Sequence, residues 1–380
     1  MAATRLLPSP EAEDLIRMTR DVCDARLRPI VDDMEAKAEF PREIFTLLGE
    51  QGLLTLPYPE EFGGGDQPYE VYLQALEEIA SAWMSVAVGV SVHSLTCNPI
   101  FAFGTDEQKS QFLEGMLDGS KLGAYCLSEP DAGSDVAAIS MRARREGDEY
   151  VLNGVKSWIS HAGHADFYTT FARTSDDGPR GLSCFHVPAD TPGISFPPPE
   201  RKMGLDCDTV GQVVFENARI PAGNLIGAEG QGMTIALSAL DAGRLGIAAC
   251  ATGLAQAALD QAVAYAKERR AFGKTIGEFQ GLAFLLAEME AAVTSARASY
   301  LHAARLKDAG RPMGKEASVA KFVCTDAAMR VTTDAVQVFG GYGYTKDYPV
   351  ERYMREAKVT QIFEGTNQIQ RLVISRALLK

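Results

Sequence analysis

The chain of 380 residues has no C-x-x-C spacing and no G-x-G-x-x-G opening a βαβ unit, and it is short of positive charge. Each absence excludes something. Its seven cysteines, Cys23, Cys97, Cys126, Cys184, Cys207, Cys250 and Cys324, are scattered and odd in number. That argues against a disulfide framework or a metal cluster and for reduced thiols, hence a cytoplasmic setting. The missing glycine fingerprint removes one sequence route to a dinucleotide cofactor. The first residues carry no apolar core of leader length, and the longest apolar run, around Trp83 to Val92, is too short for a bilayer span, so no membrane association is expected. With Lys+Arg 37 against Asp+Glu 50 the net charge is -13 and the pI near 5.0, so no global field draws nucleic acid or an anionic surface. A local basic site for a phosphorylated ligand stays open.

What is present is ample apolar material, 46% of residues, and a length that suggests two to three domains. Ser9 as N-cap with Pro10 at the first helical position opens a helix whose Leu15, Met18 and Val22 share a face. Pro41 opens another that Gly52 can close. The run from Tyr69 through Val90 has few breakers and reads as one helix packed on most sides, and Thr105 with Gln108 has capping-box spacing. Near Lys121 the period changes. Tyr150 to Ile159, Asp166 to Ala172, Leu182 to Val187 and Val210 to Phe215 are short β-rich runs bounded by turn residues, the pattern of an antiparallel sheet or barrel, with Asn153-Gly154 as a hairpin signal. From Gly232 long helices return. The expected class is α+β: an all-helical domain at 1–121, a middle antiparallel β-barrel domain at 122–231 and a helical-bundle domain at 232–380.

The candidate chemistry concentrates in the stretch from Arg355 to Arg371, R-E-A-K-V-T-Q-I-F-E-G-T-N-Q-I-Q-R. Ile362 and Phe363 would hold the Glu364 carboxylate against a dry wall, which raises its pKa and makes it a better base. Gly365 allows a sharp turn, and Thr366 can cap the helix that follows. The same letters also describe an ordinary helix stop before a capped helix start.

The stretch resembles the I-[YF]-E-G-T-[SN]-x-I-Q segment of the acyl-CoA dehydrogenase family, whose glutamate is the catalytic base. Further segments carry the resemblance over nearly the whole chain. Tyr125-Cys126-Leu127-Ser128-Glu129-Pro130-Asp131-Ala132-Gly133-Ser134-Asp135 is similar to the family's L-[ST]-E-P-x-A-G-S-D, and Trp158-Ile159-Ser160-His161 to its W-I-T-N, with a departure at the last position. There the plain alternatives are a turn loop and a tryptophan plugging a β core, and His161 reads as an exposed loop histidine. Leu240-Asp241-Ala242-Gly243-Arg244-Leu245, Arg269-Arg270-Ala271-Phe272-Gly273-Lys274 with Gln280, and Gln337 with Gly340-Gly341-Tyr342-Gly343-Tyr344 match three more.

The resemblance implies an enzyme of three parts, the last a four-helix bundle, with FAD as cofactor and no metal. Tyr125, Leu127, Ser128, Ser134, Trp158, Ser160, Thr366 and Gln368 would meet the flavin of the same chain. Arg269, Phe272, Gln280, Gln337, Gly340 and Gly341 would reach the FAD of a neighbouring subunit, which implies a homotetramer built from dimers. Ser134, Asp241, Arg244, Phe363 and Gly365 would face the substrate. Glu364 would remove the α-proton of an acyl-CoA thioester, of the short-chain butyryl type, while the β-carbon gives hydride to the flavin. Gly243 stands where branched-chain relatives place their base, so the task falls to Glu364. The main-chain N–H of Glu364 and a ribityl hydroxyl would stabilise the thioester oxygen, at roughly 3 kcal/mol each, and an electron-transfer flavoprotein would take the electrons. An oxygen-using oxidase, a dehydrogenase of a carrier-protein thioester and a non-catalytic scaffold of the same fold are the alternatives.

Overall fold

The computed structural model describes residues 3–379. Helix α1 (Pro10–Val22) starts as its letters require: Ser9 accepts from the Ala12 N–H and Pro10 occupies the first position. Helices α2 (Val31–Lys37) and α3 (Arg42–Glu50) follow, then α4 (Tyr69–Ala82) and α5 (Met84–Phe103). The run from Tyr69 to Val90 is therefore two helices, because Trp83 turns to an extended conformation at φ -156° and ψ 102°. Its indole is buried and donates to Glu35 at 2.7 Å, a tertiary contact that outweighs helical continuity. Helix α6 (Asp106–Leu117) begins with the capping box of Thr105 and Gln108.

The middle part is one mixed sheet, and not the closed antiparallel barrel expected. Its strands are β1 (Gly123–Cys126), β2 (Arg142–Glu146), β3 (Glu149–Ser160), β4 (Phe167–Arg173), β5 (Leu182–Pro188), β6 (Ile194–Ser195), β7 (Val210–Pro221) and β8 (Leu225–Ile226). They lie in the order β6-β7-β3-β2-β4-β5-β8, with β1 beside β4. Both β1 and β2 run parallel to β4, and the two edges end in two-residue strands that do not meet. Strand β2, R-A-R-R-E, alternates exposed charges with one buried alanine and so left little apolar signal. Asn153-Gly154 is not a hairpin. It lies inside β3, where the register with β7 shifts between Leu152 and Gly154, while the β2–β3 turn falls on Gly147-Asp148.

The helices α7 (Gly232–Glu268), α8 (Gln280–Asp308) and α9 (Gly314–Phe339) form the C-terminal bundle, joined by α10 (Val350–Thr360) and α11 (Asn367–Leu378). Two short strands, β9 (Arg270–Ala271) and β10 (Lys274–Thr275), pair between α7 and α8. Helix α7 packs on α4 and α5, so the two helical parts share one core, and a second interface buries Phe167, Phe171 and Leu182 against Ile100 and Ile235. By length and apolarity α5 and α7 are each able to cross a membrane, yet 78% and 67% of their most apolar windows are buried inside the molecule. All seven cysteines are buried and unpaired.

Candidate active site

Between α10 and α11 the chain makes a tight turn. Ile362 and Phe363 both donate to the Val359 carbonyl, and Thr366 caps α11 by accepting from the Ile369 N–H. Glu364 sits at φ +50° and Gly365 at φ +88°, two left-handed residues in succession. A left-handed glutamate is uncommon and must be held. Helices α9 and α11 hold it: Lys321 of α9 donates to the Gly365 carbonyl and to Asn367 Oδ1, both at 2.9 Å, and Gln370 Nε2 of α11 reaches the Gly365 carbonyl at 2.8 Å. Asp326 accepts from Gln361 and Asn367. The helix-stop reading of E-G-T-N is locally right, and the turn it describes aims Glu364 inward.

Both carboxylate oxygens of Glu364 are sealed from solvent and have no hydrogen-bond partner among the described residues. Burial pushes the group up to about 7, against the pull of Lys321 and Arg244. The dry wall does not come from Ile362, which is 52% exposed and points away. It comes from other elements. A Cβ placed on Gly243 of α7 would lie 2.4 Å from Glu364 Oε2 and 3.3 Å from Leu95 of α5, and the phenols of Tyr69, Tyr72 and Tyr125 lie close enough to feel its charge. Beside Gly243 a cavity of about 130 Å³ opens between α4, α5 and α7, lined by Tyr69, Tyr72, Ser91, Leu95 and Asn98 among others. Phe363 packs its ring on the main core.

On the sheet, Lys156 is fully buried and binds Glu129 at 3.0 Å and the Leu127 carbonyl at 2.9 Å, while Glu129 also takes the Ser140 and Met141 N–H groups. This ion pair clamps the segment Tyr125–Glu129 to β3, helped by Ser157 N–H to the Ser128 carbonyl at 2.9 Å. Trp158 does not plug the β core: it is left-handed at φ +63° and 63% exposed. Ser157 Oγ is buried without a partner among the described residues, and Ser160 donates to Asp208 at 3.0 Å. His161 is not an exposed loop residue. It is fully buried, bonded through Nδ1 to the Gly123 carbonyl, packed edge-on against Phe40 and Phe45, and desolvated down to about 3. Ser134 lies exposed on the loop after this segment.

Asp241 and Arg244 pair with each other at 2.5 Å, one turn apart on α7, and Arg244 lies close enough to Glu364 to act on its carboxylate. The remaining motif residues lie elsewhere. At ~1.5 Å per residue, Arg244 and Arg269 are roughly 37 Å apart along α7, and Lys321 and Gln337 roughly 24 Å apart along α9. Arg269, Phe272, Gln280, Gln337, Gly340 and Gly341 are all exposed, Phe272 at 95%. Arg269 lies over the Tyr342 ring at 5.5 Å and makes no salt bridge among the described residues. Gly340, at φ +61° and ψ -136°, takes a conformation reserved for glycine. Gln368 is exposed on α11. Sequence reasoning offered Asn367 as a polar group of the turn and missed Lys321, Asp326 and Lys156. A lone lysine inside an apolar run, as in A-S-V-A-K-F-V-C, was the signal available for the first.

Comparison with known proteins agrees with this layout. The acyl-CoA dehydrogenase N-terminal, middle and C-terminal domain families match residues 9–120, 124–218 and 230–379. An acyl-CoA dehydrogenase of Bacillus subtilis (strain 168) is 46% identical over 365 residues, 96% of each chain. The structure of butyryl-CoA dehydrogenase from Megasphaera elsdenii superposes with a TM-score of 0.97 at 40% identity, covering 99% of this chain and 100% of that one. A chain from a study of the electron transferring flavoprotein of Acidaminococcus fermentans gives 0.97 at 41%, with the same coverage. The chain belongs to the acyl-CoA dehydrogenase family. It is an oxidoreductase and its cofactor is FAD. The donor set fits that group: an exposed tryptophan held left-handed, a buried Ser157 hydroxyl beside it with no partner among the described residues, and Arg269 at the end of α7, without a salt bridge among those residues.

Proposed function

We propose that this protein dehydrogenates a short acyl-CoA between its α- and β-carbons, with Glu364 as the base that takes the α-proton. The observation that carries the reading is the Glu364 carboxylate: sealed, without partners, and facing Gly243 beside the cavity. An unpaired buried carboxylate costs stability, so its retention points to a task. When bound, FAD supplies the two-electron acceptor for the hydrogen leaving the β-carbon. Tyr125, Leu127, Ser128, Ser134, Trp158, Ser160, Thr366 and Gln368 would hold it. No described hydrogen bond uses the Glu364 N–H, which leaves it available to the thioester oxygen as the α-proton departs. Asp241 and Arg244 would meet the pantetheine arm, and Phe363 and Gly365 would border the acyl group. The trans-2-enoyl thioester is the product.

The exposed set of Arg269, Phe272, Gln280, Gln337, Gly340 and Gly341 is too far from Glu364 to serve the same flavin, and we assign it to the FAD of a neighbouring copy, in a tetramer of dimers. Light scattering tests this, and a monomer carrying a full complement of FAD excludes it. The likeness to the Acidaminococcus chain supports an electron-transferring flavoprotein as acceptor, and seven unpaired thiols support a cytoplasmic setting.

Glu364→Gln keeps the shape and removes the base. The variant is expected to bind FAD and acyl-CoA as before, while rapid-mixing flavin reduction falls at least ~100-fold. Normal reduction would assign the proton to another group. Loss of yellow colour or of fold would make the residue structural. In the wild type the rate should rise with pH around a midpoint near 7, because the raised carboxyl must be ionised to act.

A further inference from the structure

Helices α5 and α7 meet along a line of small residues. Gly243 faces Leu95, and one turn further Gly246 faces Ser91, whose Oγ lies only 2.2 Å from where a Cβ on Gly246 would stand. Three residues along a helix rise about 4.5 Å. A chain that starts at Glu364 and follows this groove therefore passes an apolar contact at Leu95 and then meets a hydroxyl. The cavity is lined by Gly243, Leu95 and Ser91, and also by Tyr72, Ser94 and Asn98.

That hydroxyl is unusual in this molecule. Several buried helical hydroxyls return their proton to the carbonyl four residues earlier, as Thr19 does to Leu15, Thr96 to Val92 and Thr252 to Ala248, and Ser85 of α5 donates to Glu35. Ser91, 2% exposed, does not; the Tyr72 phenol is the group it can pair with, and no hydrogen bond of normal geometry joins the two. The Tyr72 phenol lies beside Ser91 and Ser94, and Asn98, seven residues on along α5, also leaves its side-chain oxygen unpaired. A buried polar group without a hydrogen bond is destabilising unless a ligand satisfies it. A groove built for a plain hydrocarbon tail would end in aliphatic side chains.

We infer that Ser91, with Tyr72 beside it, is a specificity-determining group for the far end of the acyl chain, and that the site takes short acyl thioesters ending in an uncharged hydrogen-bonding oxygen. This rests on the reading that Glu364 addresses the α-carbon. No acidic or basic side chain flanks Ser91 in the cavity lining except Lys307, whose ammonium is engaged over the Tyr69 ring at 4.4 Å. A hydroxyl or carbonyl terminus, able to pair with both Ser91 and Tyr72, fits better than a carboxylate.

The test compares 4-hydroxybutyryl-CoA with pentanoyl-CoA, which differ by exchange of a terminal hydroxyl for a methyl. Anaerobic flavin bleaching supplies kcat/KM, and flavin absorbance perturbation in the Glu364→Gln holoenzyme supplies Kd without turnover. The wild type should favour the hydroxy thioester at least tenfold in both, because a site with unpaired polar groups rejects the isostere that cannot fill them. Ser91→Ala should abolish the preference, lowering kcat/KM and raising Kd for the hydroxy thioester at least tenfold relative to pentanoyl-CoA. A wild-type preference for pentanoyl-CoA, or a ratio unchanged in Ser91→Ala, overturns the inference. Failure of every acyl-CoA, butyryl-CoA included, to bleach the flavin would strike the dehydrogenase reading and this inference with it.

Discussion

Two glutamates are buried among the same helices and behave in opposite ways. Glu77 on α4 receives Arg5 at 3.1 Å, Arg297 at 2.7 Å and the Tyr300 hydroxyl, and two arginines hold it down to about 2 despite full burial. Glu364, equally sealed, receives no hydrogen bond from the described residues and is pushed up to about 7. Burial is common to both, so partners decide the sign. Where every acceptor position is filled, the carboxylate ties the segment around Arg5 to α4 and α8. Where they are left empty, the carboxylate can take a proton. Glu129, filled by Lys156 and by two N–H groups, belongs with Glu77.

The comparison breaks most sharply at Glu77. Glu77→Gln leaves Arg297 buried without its countercharge and Arg5 with Glu78 alone, and urea unfolding should show a loss of about 3–5 kcal/mol. Because the Glu77 carboxyl is held below its ordinary value, its contribution is full above about pH 4.5 and is lost as pH falls toward 2. A loss under about 1 kcal/mol, the scale of an exposed pair, would mean the network is not what anchors the N-terminal segment.

A smaller effect is expected at Gly243. Gly243→Ala places a methyl 2.4 Å from Glu364 Oε2, and flavin reduction should slow roughly 100-fold, the scale of an ångström-sized misplacement of a catalytic group. Fold and FAD content should be kept. Because the two positions face one point, Gly243→Glu combined with Glu364→Gly should recover part of the rate lost in Glu364→Gly alone. No recovery would show that a carboxylate on α7 does not reach the same α-carbon.

The smallest effect sharpens the rule that partners decide. Glu356 on α10 is 1% exposed, with Arg352 Nε 3.4 Å away and Oε1 lacking a hydrogen bond, and burial pushes it up to about 8. Asp208 is likewise pushed up to about 7. The folded state holds protons that the unfolded chain releases, so these contributions are lost as pH rises from about 4.5 through 8. Thermal melts should show stability falling between pH 6.5 and 8, by up to about 1.4 kcal/mol per unit for each such proton. Glu356→Gln should flatten the slope. An unchanged slope would clear Glu356 of the effect.

Much of the fold was legible where the signal is local. The Ser9-Pro10 start, the Thr105–Gln108 capping box, the Gly365 turn and the Thr366 cap depend on side chains within four residues of each other, and each forms as its letters suggest. Legibility failed where a distant contact overruled the local pattern. Trp83 breaks one apolar run into two helices because Glu35, 48 residues away, takes its indole proton. Asn153-Gly154 has hairpin letters but is absorbed into β3 by pairing with β7. His161 looked exposed because nothing near it in sequence announces Phe40, Phe45 and the Gly123 carbonyl.

For the candidate site, the amino-acid order by itself determined that a glutamate precedes a glycine capable of a left-handed turn, that a capped helix follows, and that Gly243 cannot supply a base. Only the tertiary structure decided that this carboxylate would be dry. Its neighbours Gly243, Leu95, Tyr69 and Tyr72 come from three other helices, Lys321 pins the turn from a fourth, and Ile362, adjacent in sequence, points to solvent. Desolvation depends on which surfaces meet, and that depends on contacts between residues hundreds of positions apart, which spacing along a chain does not encode.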